Sequence, residues 1–168
     1  MGCGKGDKAK ETGQGAHARG AADTAAPARA QVAAAAKVAV GAFTVDLPST
    51  WKDVSVDKAQ PGQVGLQPRD KAWPLLVLSP APSPMPFDPT DPAACAENGA
   101  HLPGVVGTPT VVSLPGGKAC RIVAGSGEHL TMTVLAVGDK GVMAQCRYAN
   151  DADGADCEPI VRSLALAP

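Results

Sequence analysis

The sequence predicts an α+β fold: an antiparallel sheet packed by helices, with two disulfides and a disordered N-terminal tether. Three observations carry that prediction. Every aromatic residue, every Leu and Ile, and four of the five cysteines lie after residue 40. From Gly41 the chain runs as short extended segments broken by Pro, Gly and Asp. Its last third is three such segments separated by glycine turns and followed by a stretch with helical spacing.

Composition narrows the class. At 168 residues the chain has the length of about one domain. Its 45% hydrophobic content overstates the core, because 31 of those residues are alanine. With 19 glycines and 16 prolines it is no alanine-rich bundle, and five aromatics give no stacking face for single-stranded nucleic acid. A net charge of −1 gives no basic surface, so no nucleic-acid partner is expected. No apolar run approaches the roughly 18 residues of a membrane span.

Residues 1–40 hold six basic and three acidic groups and too little apolar surface to offset the entropy of ordering them. Gly2 to Gly20 reads as a flexible tether. Residues 28–39, ARAQVAAAAKVA, favour a frayed helix, but only Val32 and Val38 could dock it, so a linker is expected to residue 40 and one domain over 41–168. In that domain Phe43, Val45 and Leu47 share one face of a half-buried strand stopped by Pro48. Gln63 to Gln67 and Trp73 to Ser79 are further strands, the second apolar on both sides as a central strand is. Six prolines over 80–92 force an extended surface stretch. Asp91 as N-cap, Pro92 at the first helical position and Gly99 just past the end bracket a two-turn helix around Cys95.

Lys118 to Ala124, His129 to Val137 and Val142 to Tyr148 then form a meander, turning at residues 125–127 and 138–141. In its middle strand Leu130, Met132, Val134 and Ala136 share a face. A closing helix is expected from about Cys157 to Leu166, packing Cys157, Ile160 or Val161, and Leu164 on the sheet.

The four domain cysteines are spaced 25, 26 and 11 residues apart, with no C-x-x-C pair to seat two thiolates on one metal, so disulfides are favoured over zinc. Cys146 shares a strand face with Val142 and Tyr148, and Cys157 lies on the apolar face of the returning helix. That order favours Cys146 with Cys157, which leaves Cys95 with Cys120. Each closure is worth roughly 3 kcal/mol on the loop-entropy model, and disulfides imply an oxidising compartment. Cys3 stands apart. Met1-Gly2-Cys3-Gly4 resembles the end of a bacterial lipoprotein signal peptide, which predicts a palmitate-bearing, lipidated Cys3 holding the chain to a membrane, the outer membrane being favoured. The charged and apolar parts of such a signal do not precede Cys3 here, so a start upstream of Met1, or a replaced signal, is expected. The alternatives are an incidental thiol or, with Gly6 where Ser or Thr is required, a poor N-myristoylation site.

Phe43-Thr44-Val45-Asp46-Leu47-Pro48 followed by Trp51, the strand Gln63-Val64-Gly65-Leu66 and the ending Ile160-Val161-Arg162-Ser163-Leu164 resemble the Mog1/PsbP-like group over residues 41–166. The resemblance implies an antiparallel sheet between helices and a non-catalytic binding or assembly role, in a group that includes small bacterial lipoproteins. The proline tract and the four cysteines depart from its pattern.

Other chemistry is sparse. Asp151, Asp153, Asp156 and Glu158 resemble a calcium loop, but aligning Gly154 with the invariant EF-hand glycine puts Ala149 and Ile160 at ligand positions, so a turn at 150–154 and a helix cap at Asp156 are expected instead. Ser126 and His129 lack the G-x-S-x-G elbow of a hydrolase. His17 is in the tether and His101 follows the short helix. No phosphate-binding loop occurs and no cofactor is implied. Trp51, Trp73 and Phe87 suit a core as well as a ligand. Two readings remain: a lipid-anchored envelope module that binds a protein partner without catalysis, or a periplasmic or secreted enzyme or weak calcium-binding domain using His101, His129 and the Asp151–Glu158 region.

Overall fold

From Ala34 the chain pairs with itself. The computed structural model describes residues 34–54, 61–82, 84–125 and 128–168. Strand β1 (Ala34–Val40) turns through Gly41, whose φ of 58° suits a residue without Cβ, into β2 (Phe43–Pro48). The two are antiparallel, with Val40 opposite Phe43 and Val38 opposite Val45. Residues 34–40 are therefore a strand rather than linker or frayed helix: β2 supplies the pairing partner, and Val40 and Val38 the apolar contacts, that the segment lacks by itself.

The remaining strands are β3 (Trp51–Val54), β4 (Val64–Pro68), β5 (Leu75–Pro80), β6 (Thr110–Leu114), β7 (Gly117–Gly125), β8 (His129–Val137), β9 (Lys140–Tyr148) and β10 (Ala165–Leu166). Helix α1 (Pro92–Ala100) and helix α2 (Asp151–Arg162) complete the elements. β3 to β9 form one antiparallel sheet in the order β3-β4-β5-β9-β8-β7-β6, and β1, β2 and β10 form a second. The meander thus adds its last strand, β9, to β5, with Leu76 opposite Cys146 and Leu78 opposite Ala144.

Register divides the large sheet into two faces. Leu66, Leu76, Leu78, Val142, Ala144, Cys146, Tyr148, Leu135 and Ala119 lie on the face that meets the small sheet and α2. Phe43, Val45, Val40, Cys157, Ile160 and Leu164 complete that main core. At the β6–β8 end the other face is covered by α1 and the proline segment, where Cys95, Cys120 and Ile122 are buried with Phe87, Leu102, Val111 and Met132 against them. Leu130, Met132, Val134 and Ala136 do share this second face, but the deepest burial in β8 is opposite, at Thr133 and Leu135. Each core holds one cysteine pair at bonding distance, Cys95 with Cys120 (Cα–Cα 5.5 Å) and Cys146 with Cys157 (6.3 Å).

The helix boundaries differ from expectation for local reasons. Asp91 caps α1 by accepting from Ala93 N at 2.9 Å, with Pro92 at the start as expected, but Gly99 lies inside the last turn and His101 is the C-cap. A Cβ on Gly99 would collide with the Pro109 ring, so this glycine admits a neighbour rather than ending the helix. Helix α2 begins six residues before Cys157, because Asn150 rather than Asp156 is the cap, accepting from Asp153 N at 3.0 Å. It ends at Arg162, and Ala165–Leu166 continue as β10 beside β2. In the proline stretch Ala81, Met85 and Phe87 turn inward while Pro82, Pro84 and Pro86 stay exposed. Gly141 makes room for it, since a Cβ there would lie 2.9 Å from Ala81 Cβ and 3.0 Å from Met85 Sδ.

Candidate functional site

Between α1 and β6, the chain lays residues 104–106 along β7. Gly125 N donates to Gly104 O and Val106 N to Val123 O, both at 2.8 Å, and Val105 bridges Ala124. Gly104 has φ of 71°, and a Cβ on it would lie 2.9 Å from Gly125 O, so the two backbones meet only because no side chain intervenes. The result is an open cavity of about 560 Å³ at the β7–β8 end of the sheet, lined by Pro103, Gly125, Glu128, His129, Leu130 and Arg147.

His129 is held flat. Its ring stacks on Tyr148 with centroids 5.4 Å apart and planes 13° apart. Tyr148 in turn shares a 3.0 Å hydrogen bond between its hydroxyl and Thr131 Oγ1, and its ring lies where a Cβ on Gly154 of α2 would be. Glu128, His129 and Arg147 all line this opening, with His129 on the Tyr148 face of the sheet and Arg147 beside Leu130 on the other, and Val106, 60% exposed, lies next to Gly125. Among the described lining residues no hydroxyl or thiol stands beside the imidazole. The arrangement offers donors, acceptors and a fixed aromatic surface, which suits recognition.

The structure disperses the other candidates. His101 is exposed at the end of α1 and does not line this cavity. Cys3, His17 and Ser126 lie outside the described residues. The acidic segment is turned toward the chain's own cations: Lys71 Nζ lies 2.7 Å from Asp153 and 2.8 Å from Asp156, while Glu158 holds Arg121 and Arg162. The hydrogen bond to Asp153, then that to Asp156, pushes the Lys71 ammonium well above its ordinary value of 10.5. Among the described residues no group of three or more His, Cys, Asp or Glu is placed to hold a metal. Arg147, Lys71 and the Tyr148 ring were missed by sequence reasoning. Arg147 and Tyr148 become visible only through register, which sets Tyr148 opposite His129 and Arg147 opposite Leu130.

No family model matches the chain, and no curated protein matches its sequence. Solved structures do match its fold. It is similar to the cyanobacterial PsbP (CyanoP) of Synechocystis, with a TM-score of 0.57 at 14% identity over 75% of this chain and 87% of that one. A Bacteroides thetaiotaomicron protein matches with a TM-score of 0.54 at 10% identity, over 76% of this chain and 46% of that one. LpqN of Mycobacterium tuberculosis, described as involved in cell envelope biogenesis, gives a TM-score of 0.45 at 16% identity over 79% of this chain and 90% of that one. The chain has a PsbP-like fold.

Proposed function

We propose that this protein is a non-catalytic binding or assembly module of the bacterial cell envelope, tethered to a membrane, the outer membrane being favoured, through a lipid on Cys3. The observation that carries the compartment is the pair of buried cystines, one in each core, since such bonds persist where the surroundings oxidise thiols. The Gly2-Cys3 sequence, followed by a glycine- and lysine-containing stretch, supports the anchor. Among the described residues no helix is long and apolar enough to cross a membrane; the attachment we propose is the lipid. The partner we assign is a protein, docking at the cavity beside His129 with Val106 as its apolar contact.

The anchor is tested by expressing the gene with its native upstream region and partitioning the cells into detergent. The wild-type chain is expected in the detergent phase with acyl mass on the Cys3 peptide, and Cys3→Ser in the aqueous phase. Detergent-phase recovery of Cys3→Ser, or an unmodified Cys3 peptide, overturns it. The docking face is tested by crosslinking in intact envelopes from position 128. A discrete adduct lost in Val106→Asp and Arg147→Glu supports the assignment; an adduct unchanged by both overturns it.

A further inference from the structure

A second cavity, of about 230 Å³, lies between α2 and the β6–β8 end of the large sheet and shares no lining residue with the cavity assigned to partner docking. Its walls are Val112 and Leu114 of β6 and Val161 of α2. Over it stand Arg121 of β7 and Arg162 of α2, both drawn to Glu158. Arg121 reaches Glu158 with two nitrogens, at 3.0 and 2.8 Å, and Arg162 Nε reaches the same carboxylate at 2.8 Å. Two guanidiniums on one carboxylate leave one positive charge in excess. They also leave N–H donors without protein acceptors among the described residues, because each guanidinium carries about five.

Thr133 supplies the second, independent observation. It is 3% exposed, lines the cavity from β8, and makes no side-chain hydrogen bond among the described residues. Its hydroxyl is not among the buried polar atoms without a partner, so the oxygen opens on the cavity rather than being sealed in the core. Arg121 stands opposite Thr133 across β7 and β8, so a hydroxyl and a guanidinium line the cavity side by side.

We propose that this cavity binds a small amphiphilic carboxylate. Its carboxylate accepts from Arg121, Arg162 and Thr133 Oγ1, in competition with Glu158, and its alkyl part lies on Val112, Leu114 and Val161. The volume of about 230 Å³ corresponds to roughly eight waters at about 30 Å³ each, the size of an acid of about six carbons.

Hexanoate is the probe, titrated into the full ¹⁵N-labelled chain with 1-hexanol as the uncharged control. Saturable shifts centred on Val112, Leu114, Arg121, Thr133 and Val161 are expected with hexanoate and not with hexanol. Thr133→Val, nearly isosteric, is expected to weaken binding about threefold to tenfold by removing one hydrogen bond. Glu158→Gln removes the competing charge and is expected to tighten binding, a change that a purely structural ion pair would not produce. Thr133→Leu fills the space and is expected to abolish the response. No saturable shift, an equal response to hexanol, or weaker binding in Glu158→Gln with the wild-type spectrum retained overturns the assignment.

Discussion

Gly99 shows how one missing side chain can decide a contact. A Cβ there would lie 2.8 Å from Pro109 Cβ, and closer still to its Cγ, as well as 3.3 Å from Ile122 Cγ1. Helix propensity favours alanine over glycine by about 1 kcal/mol, but overpacking costs typically about 1–3 kcal/mol, so the clash wins. Gly99→Ala is expected to lower the unfolding free energy measured in urea, although at an exposed helical position the same change would raise it. Lys71 makes a prediction about pH. Its proton is held more tightly in the folded chain than in the unfolded one, so its contribution is fully present below 10.5 and is lost only as pH rises through the higher folded value. Wild type should therefore keep a small lead in Tm over Lys71→Met up to pH 10.5, and the lead should shrink in salt because these side chains are partly exposed. A lead already gone at pH 9 would contradict this.

At the scale of elements, the legible parts were those whose signal is local. The alternation Phe43-Thr44-Val45 announced β2, and Asp91-Pro92 announced α1, because a strand face and an N-cap are written in consecutive residues. The coarse order of strands and helices also selected the two cysteine pairs. What escaped needed a distant partner. β1 is alanine and valine until β2 lies beside it, and β10 is two residues that extend only because β2 offers Phe43 and Thr44 to pair with. In α2, Asp156 reads locally as the cap and the apolar spacing begins at Cys157, whereas Asn150 supplies the actual cap. The candidate site failed for the same reason: His129 was visible in the sequence, but the stack beneath it and the arginine beside it come from β9. The cystine joining α2 to β9 closes a separation of 11 residues. On the loop-entropy model, Cys146→Ser with Cys157→Ser should lose about 3 kcal/mol of unfolding free energy in urea. A loss below about 1 kcal/mol would mean that packing of Ile160 and Leu164 already fixes the helix.

For the whole molecule, strand order predicts where stability resides. β5, β9 and β8 are paired on both sides at the centre of the large sheet, while β3 and β6 form its edges. Amide exchange should be slowest in Leu76–Ser79, Thr133–Leu135 and Val142–Cys146, approaching the global unfolding free energy, and fastest among the described strands in β3, β6 and β10. Equal protection at centre and edge would indicate that the sheet opens only as a unit.

The connectivity of the cystines bears on how the chain is made. Each cysteine of the domain is joined to the next along the sequence, so the two closed loops neither nest nor cross. A chain emerging N-terminus first into an oxidising space presents these thiols in that order. Joining each new arrival to the last unpaired one then yields the native bonds without later isomerisation. The rule works only if counting starts at Cys95. With Cys3 present as a free thiol, it would capture Cys95, pass Cys120 to Cys146 and strand Cys157. Were a lipid to engage the Cys3 sulfur before the domain emerged, the odd thiol would leave that sequence, and the proposed anchor would then also protect the order of oxidation.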